Sequence, residues 1–94
     1  MFHVYIMTNR KHGTLYIGVT GKLRQRVWQH REGLVESFTK KYGLKVLVHI
    51  AAFESAADAI RREKRLKHWN RAWKIALIEE RNPDWDDLHP TLLA

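Results

Sequence analysis

The 94-residue chain is predicted to fold as one α+β domain in which a three-stranded sheet packs against helices. Two observations lead there. Near the N-terminus, two short stretches alternate apolar and polar residues with a period of two, separated by a polar loop that ends in Gly13, which is the mark of a hairpin. After Gly21 the apolar period lengthens to that of a helix, and only one further run, Lys45 to Ala51, returns to strand character.

In β-like alternation, Phe2, Val4 and Ile6 interleave with His3, Tyr5 and Met7, and Leu15, Ile17 and Val19 repeat the pattern against Thr14, Tyr16, Gly18 and Thr20. An antiparallel register that keeps Val4 and Ile6 on the face of Ile17 and Leu15 makes paired numbers sum to about 21. Tyr5 then lies opposite Tyr16. Lys22 to Arg31 lacks Gly and Pro and carries Leu23, Val27 and His30 at helical spacing, so a helix is expected there, ending at Gly33. Arg26 and His30 share one face of it, a turn apart. A shorter helical segment is expected around Glu36 to Lys41, ending at Gly43, and the third strand draws on Val46, Val48 and Ile50. Ser55, with Asp58 following as a weaker capping box, opens a helix to about Trp69. Its inward stripe reads Ala56, Ala59, Ile60 and Leu66. A last helix from Arg71 to Glu80 turns Ala72, Trp73, Ala76 and Leu77 inward and is closed by Asn82 and Pro83. The domain is therefore read as residues 1–83, and Asp84 to Ala94 as a partly ordered tail whose Trp85 and Leu88 pack back.

Composition limits the function. Apolar residues make up 45% of the chain, with four Trp, so it can bury a core. There is no cysteine, which removes disulfides and thiolate metal sites and fits a reduced, cytoplasmic setting. No apolar run approaches the roughly 20 residues of a membrane span, and Met1 opens no signal-peptide pattern. No membrane role is expected. The net charge of +7 points to a polyanion, with nucleic acid the common case. The excess sits in the first half: residues 1–47 hold nine Lys and Arg against Glu32 and Glu36, while residues 48–94 hold eight of each sign. Arg10, Lys22, Arg24, Arg26 and Arg31 are the expected phosphate contacts.

Three features break the structural pattern. Glu63 falls on the apolar stripe of its helix, where a carboxylate costs several kcal/mol unless a cation or donors meet it. The plain reading is an ion pair with a nearby Lys or Arg; the functional one is a ligand for a hard divalent ion such as Mg²⁺ or Mn²⁺. Tyr5 and Tyr16 share the other strand face beside Gly18, which admits close approach of a ligand or backbone; either alone would pass as a packing residue. Arg26 and His30 could be a solvated helix face, yet they also supply a phosphate fork and a proton acceptor near neutral pH. Together the five make the parts of phosphodiester hydrolysis.

The same residues carry a family likeness. Val4-Tyr5-Ile6 followed by Tyr16-Ile17-Gly18 resembles the paired motifs of the GIY-YIG nuclease superfamily, with Val in place of the first Gly. Arg26, His30 and Glu63 follow in order, and Arg62-Glu63-Lys64, Trp69, Trp73-Lys74 and Asn82-Pro83 look like short stand-alone bacterial members. Those resemble the nuclease domain of the excision-repair endonuclease subunit. The resemblance implies a three-stranded antiparallel sheet flanked by helices and single-metal hydrolysis of nucleic acid, DNA above RNA, in a DNA-repair setting. On it, Glu63 binds Mg²⁺ or Mn²⁺, Arg26 stabilises charge on the phosphate, Tyr16 serves as general base or orients water, and Tyr5 and His30 complete the proton network. The rival expectations are a nucleic-acid-binding module without chemistry, which would need no divalent ion, and a protein-interaction domain built on Trp69, Trp73 and Trp85.

Overall fold

The structure is a computed structural model and describes residues 1–34 and 38–92. The two alternating stretches become β1 (Phe2–Thr8) and β2 (Leu15–Thr20), followed by α1 (Leu23–Arg31), α2 (Phe38–Tyr42), β3 (Val46–Phe53), α3 (Ala56–His68) and α4 (Arg71–Arg81). A short 3₁₀ turn, His89–Leu92, ends the described chain. The sheet is antiparallel in the order β2-β1-β3, so β1 is central. The fold is α+β, as the pattern predicts. The expected start of the second helix at Glu36 lies outside the described residues. Among the described residues, no helix is long and apolar enough to cross a membrane.

Strand alternation divides the interior in two. Val4, Ile6, Ile17 and Val48 join Ala59 and Leu66 of α3, Ile78 of α4 and Trp85. On the opposite face, Tyr5, Met7 and Leu47 join Leu23 and Val27 of α1 and Leu44. Full burial of each large apolar side chain stabilises by about 1.5–3 kcal/mol, so central β1 fixes both layers. A bulge between Ile6 and Met7 turns Val48 to the α3 side while Leu47 stays on the α1 side.

Helix ends follow their chemistry. Gly33 and Gly43 adopt φ of 68° and 64° and close α1 and α2, with Leu34 N–H donating to Gln29 and Leu44 N–H to Thr39. Ser55 accepts from Asp58 N–H, and Asn70 caps α4 by accepting from Trp73 N–H at 2.9 Å. Beyond α4, Asn82 bonds the Val48 carbonyl, Asp87 bonds Leu47 N–H, and Leu88 N–H donates to the Leu47 carbonyl. The expected return of Trp85 and Leu88 is observed: Trp85 is 5% exposed and its indole donates to Glu79.

Three expectations are corrected. The β1–β2 pairs sum to 23, not 21: Tyr5 pairs with Gly18 and Met7 with Tyr16, because the loop closes one residue later on each side, with Thr8 against Leu15. Since the shift is even, both tyrosines keep one face. In α4 the inward residues are Ile75 and Ile78, with Leu77 partly buried, while Trp73 is 58% exposed and Ala72 and Ala76 face solvent. In α3, Ile60 points outward and Ala59 with Leu66 forms the contact.

Candidate active site

Tyr5 projects from the middle of β1 across β2, and Gly18 makes that possible. A Cβ at Gly18 would lie 2.5 Å from Cζ and Oη of Tyr5, so the space expected for a ligand is taken by the phenol itself. Tyr16, diagonal to Tyr5 on the same face, sits 6.3 Å from it between ring centroids. Tyr5 is wholly buried, whereas Tyr16 is half-buried at the rim.

His30, one turn beyond Arg26 on α1, completes a three-ring cluster at 5.7 Å from Tyr5 and 5.4 Å from Tyr16. Its Nε2 bonds the Tyr5 hydroxyl at 2.9 Å, and its Nδ1 bonds Thr39 Oγ1 at 2.9 Å. The sequence singled out His30 but not Thr39, which sits on a different helix with no local signal linking the two. Burial, and then the Arg26 charge, push the His30 pKa down to about 4. Burial, reinforced by Tyr16, pushes Tyr5 up to about 12 against the opposing pull of Arg26. At neutral pH both are therefore uncharged and locked in hydrogen bonds.

The His30 shift makes acid stability testable. The unfolded chain takes up this proton near pH 6.5 and the folded chain only near 4, so stability is present above 6.5 and lost as pH falls through that window. At 1.36 kcal/mol per unit, the loss is about 3 kcal/mol. His3 and His49 are also lowered by burial, so the comparison must isolate one ring. Urea unfolding should show wild type losing about 3 kcal/mol more than His30→Gln between about pH 7 and pH 4; parallel profiles would refute the buried neutral imidazole.

Arg26 is half-buried beside Tyr5 and lines an open groove of about 430 Å³ with Thr20, Gly21, Lys22, Gln25 and Gln29. Arg10, Lys22 and Arg24 are exposed, with Arg10 in the hairpin loop at the far end of β2 from Lys22. Arg31 is engaged differently. Its guanidinium bonds Asp87 at 2.6 Å and the Lys45 carbonyl at 3.0 Å, tying α1 to the chain after α4. That contact spans a sequence separation no local pattern reveals.

Glu63 is carried by a different helix, α3. It lies between Ala59 and Leu66 on the stripe of α3 that packs on the Val4–Ile6 face, whereas Tyr5, Tyr16 and α1 occupy the other face. Its carboxylate is 14% exposed and pairs with Lys67 at 3.4 Å, one helical turn on. Among the described residues, no three His, Cys, Asp or Glu side chains converge as a metal cage. A hard ion needs no such cage: it accepts one or two carboxylates and completes its shell with water and phosphate. Glu63, largely withdrawn from solvent and, among the described residues, ion-paired only with Lys67, is the residue that would fit that role.

The family model of the GIY-YIG catalytic domain matches residues 1–76. A UPF0213 protein of Halobacterium salinarum is 38% identical over 78 residues, covering 83% of this chain and 100% of that protein. A UPF0213 protein of Staphylococcus haemolyticus is 37% identical over 79 residues, covering 84% and 95%. The solution NMR structure of a UPF0213 protein from Bacillus halodurans is similar with a TM-score of 0.58 and 31% identity, over 93% of each chain.

Proposed function

Because the chain belongs to the GIY-YIG catalytic domain family, we propose that it is a divalent-metal-dependent endonuclease that hydrolyses phosphodiester bonds in DNA. A cysteine-free basic chain suits cytoplasmic work, and DNA repair is the setting we infer for it. The observation that carries the reading is the cluster of Tyr5, Tyr16, His30 and Arg26 beside an open basic groove.

Exposure divides the labour. Arg26 lines the groove and offers two parallel N–H donors to a phosphate, stabilising charge that builds on its oxygens. Tyr16, the half-buried phenol at the rim, orients the attacking water or takes its proton. Tyr5 and His30 are sealed from solvent and bonded to each other, so they position Tyr16 and Arg26 rather than meet the substrate. Glu63 is the residue that would hold Mg²⁺ or Mn²⁺. When bound, such an ion supplies charge stabilisation for the attacking and leaving oxygens. Because β2 is an edge strand, a phosphate lying across its free edge is accessible from α1 on one face and α3 on the other.

The test is incubation of the full chain with single-stranded, duplex and branched DNA and with RNA, in Mg²⁺, in Mn²⁺ and in chelator. Cleavage of DNA that requires the ion supports the proposal; every substrate intact in both ions defeats it. Binding without chemistry is the second reading, favoured by the Glu63–Lys67 pair, which already engages the carboxylate. For substrate delivery, Arg10, Lys22, Arg24 and Arg26 are the proposed contacts. If about four phosphates are neutralised, log K for duplex DNA measured in chelator should fall against log salt with a slope of roughly 3 to 4. A flat salt dependence would remove them as the binding surface.

A further inference from the structure

A second cleft is left unused by this chemistry. Its floor is β3 from His49 to Phe53, its walls include Arg62 of α3 and Leu77, Glu80 and Arg81 of α4, and it encloses about 540 Å³. The start of β3 is already covered, since Leu47 and Val48 are bonded by Asp87, Leu88 and Asn82. The cleft begins where that cover stops. A shallower hollow of about 260 Å³ adjoins it, sharing Leu77 and Glu80 and adding Trp69, Trp73 and Ala76.

Charge and aromatic surface identify the occupant. Among the described residues neither Arg62 nor Arg81 is in an ion pair, and Glu80 is the one carboxylate lining the cleft. His49 lies close enough to both guanidiniums that they add to burial in lowering its pKa, against the opposing pull of Glu80. The Arg62 guanidinium is stacked 4.9 Å over Trp69, and Trp73 meets Trp69 edge-on at 5.9 Å. Trp73 leaves 58% of its surface open. Two cations outside any ion pair, facing a single carboxylate beside an exposed indole, match the alternating phosphates and bases of a single strand. A duplex keeps its base faces stacked and offers none to Trp73. An apolar protein segment would bury both guanidiniums without a counter-charge.

We propose that the α3–α4 cleft is a second nucleic-acid site, which takes single-stranded nucleic acid with a phosphate between Arg62 and Arg81 and a base against Trp73. It rests on the function proposed above only for the class of polymer, and the two helices that wall it, α3 and α4, pack on the sheet face away from Tyr5.

The probe is a fluorescein-labelled oligothymidylate of about 12 nucleotides, within the site size of small single-strand binders, titrated at low salt in chelator so that no cleavage intrudes. Wild type should bind it with quenching of tryptophan fluorescence. Arg62→Ala/Arg81→Ala should weaken binding by about tenfold or more, and Trp73→Ala, at an exposed position that leaves the core intact, by about tenfold with loss of most of the quenching. A charge-matched control, Lys40→Ala/Lys45→Ala, should lose much less. No binding by wild type, or equal losses in the control and the arginine pair, would overturn the site. Catalysis is read separately. Oligonucleotide binding that the arginine pair weakens, with no cleavage of any substrate, defeats the nuclease proposal and upholds this one; ion-dependent cleavage with oligonucleotide binding unchanged in the arginine pair does the reverse.

Discussion

Glu63→Gln is expected to fold normally and to lose divalent-dependent cleavage by about 10³-fold or more, the scale of removing the group that holds a catalytic ion. Stability should barely move. The pair it breaks, with a Lys67 that is 52% exposed, is worth about 0.3–0.5 kcal/mol as an i,i+4 contact, and removing a largely buried anion offsets part of that. Lys67→Ala is the discriminating partner. If Glu63 serves only that ion pair, the two substitutions should behave alike; if it holds a cation, Lys67→Ala should keep its activity while Glu63→Gln does not. Binding can be followed without turnover, because paramagnetic Mn²⁺ should broaden amide signals around Glu63 in wild type and leave them sharp in Glu63→Gln. Equal cleavage by wild type and Glu63→Gln at matched Mg²⁺ would sink the assignment.

How much of this was legible depends on which forces leave a trace in local sequence. The strand faces were legible because burial on one side of a pleated strand imposes a period of two, and that is why Tyr5 and Tyr16 could be put on one face beforehand. Their pairing was not, since the register is set where the loop closes, through Asn9 accepting from Thr14 N–H and Gly13 N–H donating to Arg10. Apolar patterning does not encode that choice. In α4 six apolar residues lie between Ala72 and Ile78, so more than one stripe satisfies helical spacing. Packing of Ile75 and Ile78 against the sheet, α3 and Trp85 decides it and leaves Trp73 outside. The anomaly of Glu63 was visible as a charge on an apolar stripe. What the sequence could not convey was that α3 lies on the opposite face from α1, because which face a helix covers is a property of chain connection. Thr39 and Asp87 were invisible for the same reason: each reaches its partner, His30 or Arg31, across a turn of tertiary structure.

Arg26→Ala should lower the cleavage rate by about 10²- to 10³-fold, the loss found when one preorganised electrostatic donor is removed from a site of this kind, while Mn²⁺ binding at Glu63 persists. The side chain is half-buried and lines the groove, so its truncation leaves a solvent-accessible gap rather than a core cavity and the fold should survive. Arg26→Lys should restore charge but only part of the rate, because a point charge lacks the two parallel donors that match a phosphate. A readout independent of turnover separates this role from a merely structural one. The Arg26 charge helps depress the pKa of His30, after burial, and also pulls down that of Tyr5 against the larger upward effect of burial. Its removal should therefore move His30 upward from about 4, toward the ordinary imidazole value, and Tyr5 further upward. Nitrogen-15 chemical shifts of the His30 ring, titrated in wild type and Arg26→Ala, give the first of these directly. In Arg26→Lys the His30 value should stay near that of wild type while the rate remains low, which assigns the rate loss to the shape of the guanidinium rather than to its charge. An Arg26→Ala protein that is folded, shows the His30 shift and cleaves at the wild-type rate would remove Arg26 from the chemistry.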